Sequence, residues 1–273
     1  MKGKEISESM QYFRLWPTFG HYKVFAFRFL YKILRSLQMN PDRFYPKSIM
    51  IIKFKGIKGI VRPNHEDLLY YSGAAKLNFT ERWFRPQLGE NVIDVGSNVG
   101  RYSLIAAKKG ANVLAIEANP QTFEVLAKNC KINDFENIEL MNVAVSNRSG
   151  KLTLYYAEGY DGISSVDKNW IESINQLKPT AAIEVRSEKL DVLRSFNKVD
   201  WLLIDVEGHE VEVLEGAANT LSITKRIIIE VELANREKVL KILDSFVPIK
   251  EETGSELNNY LFLVRIEDYK RDD

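Results

Sequence analysis

Cysteine is almost absent from this chain: Cys130 is the single one in 273 residues. One thiol excludes an internal disulfide and a cysteine cluster for zinc, and it suits a reducing compartment. Lying in an amphipathic stretch, it reads as a small buried apolar side chain. No apolar run reaches the roughly 18 residues of a membrane span. The aromatic N-terminal stretch is broken by basic residues, so no signal peptide is evident. The expectation is a cytoplasmic protein. Internal repeats and low-complexity tracts are missing too. Net charge is also scarce, at +1, but it is unevenly spread. Residues 1–62 carry thirteen Lys and Arg against Glu5, Glu8 and Asp42, a net of +10 that leaves −9 for the remainder. Such a split suggests that the N-terminal part meets an anionic surface. Pairing with the acidic body of the same protein is an equal alternative.

What is present is ordinary for a globular protein, with 45% hydrophobic and 27% charged residues. The length allows one large α/β domain plus an appendage. Prolines 41 and 46 flank an aromatic pair and mark a break in the chain. We place the appendage at residues 1–62 and the main domain at 63–273. In the appendage, His21 to Leu37 has helical character, and Ile49–Phe54 with Ile57–Val61 reads as a hairpin closed near Gly56. A helix is expected over Glu66–Lys76. From Asn91 onward strands and helices alternate, which implies a parallel sheet with crossover helices. Strands are expected at 91–95, 112–116, 138–144, 200–205 and 226–232, with helices at 99–109, 120–133, 209–218 and 235–245. Residues 151–190 interrupt the alternation with strands 152–156 and 182–186. A last strand, Tyr260–Val264, is expected antiparallel at the end of the sheet.

The most telling stretch is Asn91-Val-Ile-Asp-Val-Gly-Ser-Asn-Val-Gly-Arg. A buried strand feeds a tight turn, Gly96-Ser97-Asn98, and then a helix, so a ligand can approach bare backbone. The next strand ends in Glu117, and a carboxylate there suits the two hydroxyls of a ribose. The dinucleotide fingerprint G-x-G-x-x-G has Asn98 in place of its second glycine and Arg101 in place of its third. That fits a pyrophosphate poorly. It fits S-adenosylmethionine better, with Asp94 and the turn amides holding the amino and carboxylate groups. The bland alternative is a glycine turn that only closes a βα unit.

A second cluster is Val199-Asp-Trp-Leu-Leu-Ile-Asp-Val-Glu-Gly-His-Glu. In open α/β sheets the reactive crevice lies beyond the carboxyl ends of the strands. Asp94 and Asp205 should therefore end neighbouring strands, with Glu207 and His209 in the following turn and Glu230 ending the next strand. That places three carboxylates and a histidine around one mouth. Glu210 and Glu212 read more simply as acids favoured at a helix N-terminus. Asp205 and Glu230 do not, because a carboxylate directly after an apolar strand is costly unless used or paired.

The chain resembles the FkbM-like methyltransferases, a branch of the S-adenosylmethionine-dependent enzymes. The motifs that carry the resemblance are Val92-Ile-Asp-Val-Gly-Ser-Asn-Val-Gly-Arg-Tyr-Ser, Ala115-Ile-Glu-Ala-Asn-Pro, Asn142-Val-Ala-Val-Ser and Ile204-Asp-Val-Glu-Gly-His-Glu-Val-Glu-Val-Leu-Glu-Gly-Ala, with Ile163-Ser-Ser and Ile228-Ile-Glu-Val. It covers about residues 60–265. It implies a Rossmann-like, seven-stranded, mostly parallel sheet with helices on both faces, the class I methyltransferase fold. It also implies O-methylation of a hydroxyl on a sugar, glycolipid or natural-product-like acceptor. Carried over by position, Asp94, Gly96, Ser97, Asn98 and Gly100 line the methionine end of the cofactor. Glu117 takes the ribose with Asn119 beside it, Val143 and Ala144 flank the adenine, and Asp205 meets the methyl group and the acceptor. His209 departs from the family, which often has a small residue there.

An alcohol is a weak nucleophile, so a general base should help as its proton leaves. Asp205, Glu207, His209 and Glu230 are the catalytic candidates, with His209 favoured by its ordinary pKa. No metal is expected; a divalent ion held by Asp205, Glu207 and Glu230 is the alternative. Two rival functions stay open: methylation of tRNA or another RNA, against which the acidic body argues, and a non-catalytic cofactor-binding protein. In the N-terminal helix, Lys23, Arg28, Lys32 and Arg35 share one face and aromatic residues fill much of the rest. Residues 16–37 thus suit a peripheral membrane contact. Docking on the chain's own domain, or on a second subunit in a homodimer, weighs slightly more.

Overall fold

The structure of the protein, a computed structural model, describes residues 18–19, 29, 33, 45–72, 82–157, 164–173, 179–254 and 257–269. The chain divides into two compact units, Met1–Ala75 and Lys76–Asp273. No helix among the described residues is long and apolar enough to cross a membrane. The helix expected over His21–Leu37 lies outside the described residues, apart from Phe29 and Ile33, which are helical and exposed.

In the first unit, strand β1 (Thr18–Phe19) pairs in parallel with β2 (Met50–Phe54), which forms an antiparallel hairpin with β3 (Ile57–Val61). Lys55 and Gly56 both take positive φ, the condition for a tight two-residue hairpin turn. Alternation then buries Met50, Ile52 and Phe54 and exposes Lys53. Helix α1 (Asp67–Ser72) follows, shorter than expected within the described residues, and the Tyr71 ring covers Gly59. Asp67 is buried and takes hydrogen bonds from the Arg62 backbone amide and guanidinium, at 2.8–2.9 Å, with His65 Nδ1 at 3.1 Å. Burial pushes this carboxyl up, but the bonds from Arg62 and His65 outweigh it and hold the pKa down at about 2.

The second unit begins its sheet with β4 (Asn91–Val95), α2 (Arg101–Lys108), β5 (Asn112–Glu117), α3 (Pro120–Ile132) and β6 (Ile138–Asn142). An insertion then contributes β7 (Ala144–Val145), β8 (Gly150–Tyr156), α4 (Lys168–Ser173), β9 (Ala181–Glu188) and α5 (Leu190–Leu193). The sheet resumes with β10 (Val199–Ile204), α6 (Glu210–Glu215), α7 (Ala218–Ser222), β11 (Thr224–Glu232), α8 (Arg236–Ile242), β12 (Phe246–Thr253) and β13 (Asn258–Arg265), and α9 (Ile266–Tyr269) follows.

Its strand order is β6–β5–β4–β10–β11–β13–β12, and only β13 runs against the rest. This is the seven-stranded, mostly parallel sheet that the family resemblance implies. From β4 the chain steps outward one way to β5 and β6, then returns to β10 and steps the other way. Right-handed crossovers in opposite directions put the helices on opposite faces. The order reverses between β4 and β10, so the crevice opens beyond Val95 and Ile204. Ile93, Leu114, Leu202, Ile204, Ile227 and Ile229 fill the core from neighbouring strands.

Three details differ from expectation. The strand expected over 138–144 ends at Asn142, and Ala144–Val145 leaves to pair with β9 in a separate sheet ordered β7–β9–β8. The helix expected over 209–218 is broken at Gly216, where a Cβ would overlap the Ser146 carbonyl. The sheet also does not end at Tyr260–Val264. Phe246–Thr253 lies outside that strand, with a register shift between Pro248 and Lys250. Its proline and its run of lysine and glutamates disguise it as a loop, and these are the features that protect an edge strand.

Candidate active site

The turn after β4 is fixed by the chain's own groups. The amides of Gly96 and Ser97 both donate to the Ile116 carbonyl, at 2.9 and 3.0 Å, and that of Gly100 donates to Ser97 O at 2.9 Å. The Asn98 amide donates to Glu117 Oε2 at 2.9 Å and the Asn119 amide to Glu117 Oε1 at 2.8 Å. These amides have partners within the chain. The glycines likewise answer first to internal packing. Gly96 sits at φ +80, and a Cβ there would overlap the Asp205 carbonyl. At Gly100, φ is +95 and a Cβ would lie 2.6 Å from Leu126 Cδ1.

Glu117 is 7% exposed at the tip of β5. Each of its oxygens takes one of these backbone amides. Asn142 Nδ2 donates to the Glu117 carbonyl at 2.8 Å, tying the tips of β5 and β6 together. Val143 and Ala144 are buried beside that tip. Asn119 caps α3 through Gln121 and donates to Ser164 Oγ at 3.2 Å.

Asp94 and Asp205 do end neighbouring strands: Asp94 pairs with Leu203, and the Asp205 amide donates to Val95 O at 3.0 Å. Asp94 is buried and accepts from Ser103 Oγ at 2.5 Å. Burial lifts its pKa to about 6, Ser103 opposes the rise, and the neighbouring Asp205 charge adds to it. Asp205, Glu207 and Glu230 meet as a group whose carboxylate oxygens lie within 4.8 Å of one another, close enough to share a cation. Asp205 and Glu230 hydrogen-bond to each other; burial raises both, Glu230 far more, and the Asp205 and Glu207 charges push Glu230 further. Across the β11–β13 pair, Tyr260 stands opposite Glu230 and hydrogen-bonds to it, and Asn258 Nδ2 donates to Glu230 Oε1.

His209 stands apart from this group. Its Nε2 is 3.0 Å from Ser146 Oγ and its Nδ1 3.4 Å from Glu212 Oε2. Burial lowers its pKa, Glu212 opposes that and Arg148 adds to it, so the ring is neutral at pH 7. Glu210 takes the Gly208 amide at 2.7 Å and Asn235 Nδ2 at 3.1 Å, which fits the helix-terminus role expected for it. Ser103, Asn142 and Ser165 stand in the family motifs read from sequence but without an assigned role, and Asn258 and Tyr260 were given no site role there. A serine among the apolar residues of α2 is a signal for Ser103, whereas Tyr260 becomes visible only once the β11–β13 register is known.

The donor set suits S-adenosylmethionine. A mouth lined by Asp94, Asp205, Glu207 and Glu230 favours a ligand carrying positive charge, and the committed amides leave little for a pyrophosphate. A sequence profile described as "Methyltransferase FkbM domain" matches residues 94–262. The chain belongs to this family. Its cofactor is S-adenosylmethionine.

Methyltransferase sdnD of Sordaria araneosa is 30% identical over 153 residues, covering 46% of this chain and 59% of that protein. Hexuronic acid methyltransferase AglP of Haloferax volcanii is 33% identical over 142 residues, covering 50% and 54%. The 2-O-methyltransferase NoeI of Sinorhizobium fredii is 24% identical over 154 residues, covering 51% and 62%. The FkbM chain therefore spans a little over half the length of these relatives. Among solved structures, the tRNA (uracil-54, C5)-methyltransferase of Pyrococcus abyssi aligns with 80% of this chain and 44% of its own at a TM-score of 0.49 and 14% identity.

Proposed function

We propose that this protein methylates a hydroxyl oxygen of a sugar-type acceptor, with Asp205 taking the hydroxyl proton. The observation that carries the reading is the meeting of Asp205, Glu207 and Glu230 at the strand ends next to the Gly96 turn. S-adenosylmethionine, when bound, supplies an electrophilic methyl carbon on a sulfonium centre. Glu117 would hold its ribose, with Asn119 alongside; Val143 and Ala144 would flank the adenine. Asp94 and the Gly96–Gly100 turn would face the methionine end.

When the acceptor oxygen takes the methyl group and the carbon–sulfur bond breaks to leave S-adenosylhomocysteine, the hydroxyl proton would pass to Asp205. A buried carboxylate whose pKa is raised is a stronger base than an exposed one. Glu230, oriented by Asn258 and Tyr260, hydrogen-bonds to Asp205 and fixes its direction. His209, engaged with Ser146, holds the loop in place in this scheme. The name of AglP, a hexuronic acid methyltransferase, supports a sugar acceptor, and that of NoeI, a 2-O-methyltransferase, supports oxygen as the methylated atom. Matches to tRNA methyltransferases span only 12–23% of those proteins and lend RNA no comparable support. The test is methyl transfer to methyl glucuronide, read by mass spectrometry. An O-methyl product that is lost in Asp205→Asn supports the reading; no transfer to this or any other hydroxylated glycoside defeats it.

A further inference from the structure

Within the carboxylate group, Glu230 lies in β11 and Asp205 directly follows β10, whereas Glu207 stands two residues further along the chain. It sits in the loop between β10 and α6 at φ +51, in the left-handed region that a side chain such as glutamate rarely adopts. A residue in that conformation keeps it only where its surroundings enforce it. The enforcing contact comes from the insertion. Ser165 Oγ donates to the Glu207 carbonyl at 2.6 Å and accepts from the Asp167 amide at 3.0 Å. The Ser165 backbone is itself locked to β8, giving its amide to Tyr155 O at 3.0 Å and accepting from the Tyr155 amide at 2.8 Å. Ser165 is 1% exposed, so water cannot readily replace its hydroxyl. One residue further on, Gly208 lies against the Trp170 ring, where a Cβ would come within 2.9 Å of Cδ1. From the other side, Ser164 Oγ takes the Asn119 side chain.

We propose that Ser165 is a positioning residue for methyl transfer: it pins the Glu207 backbone to the inserted sheet and so aims the Glu207 carboxylate at the acceptor side of the site. The inference rests on the reading of Glu207 as part of the acceptor-side group. It gives a role to the buried Ser165 hydroxyl that joins the insertion to the catalytic loop. It also makes the Ser164–Ser165 pair a link between the Asn119 tip and the Asp205–Gly208 loop.

Two measurements on the full chain test it. In the first, methyl transfer to methyl glucuronide is compared for the parent, Ser165→Ala and Ser165→Thr, with kcat expressed per site that binds S-adenosylhomocysteine. Ser165→Ala should lose at least about tenfold in kcat, the scale of one buried hydrogen bond, with the KM for S-adenosylmethionine nearly unchanged. Ser165→Thr, which keeps the hydroxyl, should recover most of the loss. A purely structural defect would lower the number of binding sites and leave kcat per site alone.

The second measurement is hydrogen exchange at the amides of residues 206–209 with S-adenosylhomocysteine bound. It needs no acceptor and so stands even where the glucuronide is not a substrate. Exchange should rise about tenfold or more in Ser165→Ala and return towards the parent in Ser165→Thr. Unchanged exchange in Ser165→Ala, or unchanged kcat per site with an active acceptor, overturns the proposal. An inactive parent with the expected exchange result defeats the choice of acceptor and leaves the Ser165 tether established.

Discussion

Asp205 directly follows β10 and Glu230 lies near the end of the adjacent parallel strand β11, and their carboxyl groups hydrogen-bond to each other in a buried site. Two carboxyls so placed do not both ionise readily. The asymmetry lies in their partners: Glu230 is held by Tyr260 and Asn258, whereas Asp205 stands next to the Gly96 turn. Asp205→Asn should therefore reduce methyl transfer by the roughly 10²–10⁴-fold scale of a general base, with S-adenosylhomocysteine binding kept within a few-fold. Glu230→Gln retains a donor to Asp205 and should be milder than Glu230→Ala. Equal losses for the two Glu230 variants would show that the hydrogen bond to Asp205 does not matter.

The cofactor end is tested at Glu117. Glu117→Ala should weaken S-adenosylmethionine binding by about 1.5–3 kcal/mol, the worth of a hydrogen bond to a charged group. The Asn98 and Asn119 amides also lose their acceptor, so part of the loss should appear as lower stability of the unliganded protein. Calorimetry separates the two effects. Unchanged affinity would remove Glu117 from the cofactor site.

Gly96→Ala tests the packing claim. Its Cβ would overlap the Asp205 carbonyl, at a φ that disfavours any side chain. Denaturant unfolding should show a loss of at least about 1–3 kcal/mol. A change within about 0.5 kcal/mol, the range of an innocuous surface substitution, would contradict the observed approach of the two turns.

Asp67 gives the first unit a pH signature. Its folded pKa, held at about 2, lies below the ordinary 3.8. Its contribution is then fully present above about pH 4 and fades as pH falls through 3.8 towards 2. Asp67→Asn should cost about 2 kcal/mol at neutral pH, by the linkage between pKa and stability. Hydrogen exchange at the hairpin amides should show this loss, together with a flatter profile between pH 4 and 2. A variant as acid-sensitive as the parent would place the titrating group elsewhere.

The parallel core was legible because Asn91–Val95, Val199–Ile204 and Thr224–Glu232 are apolar runs that stop at or beside an acid, and such runs carry both strand and site information. The edge strand Phe246–Thr253 was not, because its charges and Pro248 are those of a protected edge. Nor was the direction of His209. Chain position put it beside Glu207, but one residue of rotation at the start of α6 turns its ring to Ser146 and Glu212. The partners of Glu230 depend on β13 entering antiparallel, and the tether on Glu207 depends on how the insertion folds back; neither follows from local periodicity.

His209 accordingly carries a prediction of its own. His209→Ala should lower methyl transfer less than about tenfold, well short of a general base, and leave the pH profile in place. A collapse on the 10²–10⁴-fold scale, with the loss of a pH limb near neutrality, would return the base role to the imidazole.

The most direct measurement follows an isotopic methyl group from S-adenosylmethionine onto methyl glucuronide, with the bonded atom identified by NMR and Asp205→Asn run in parallel. The account expects the label on a hydroxyl oxygen with the parent protein and almost none with Asp205→Asn. Label on carbon, nitrogen or a carboxylate, or undiminished transfer by Asp205→Asn, would contradict it.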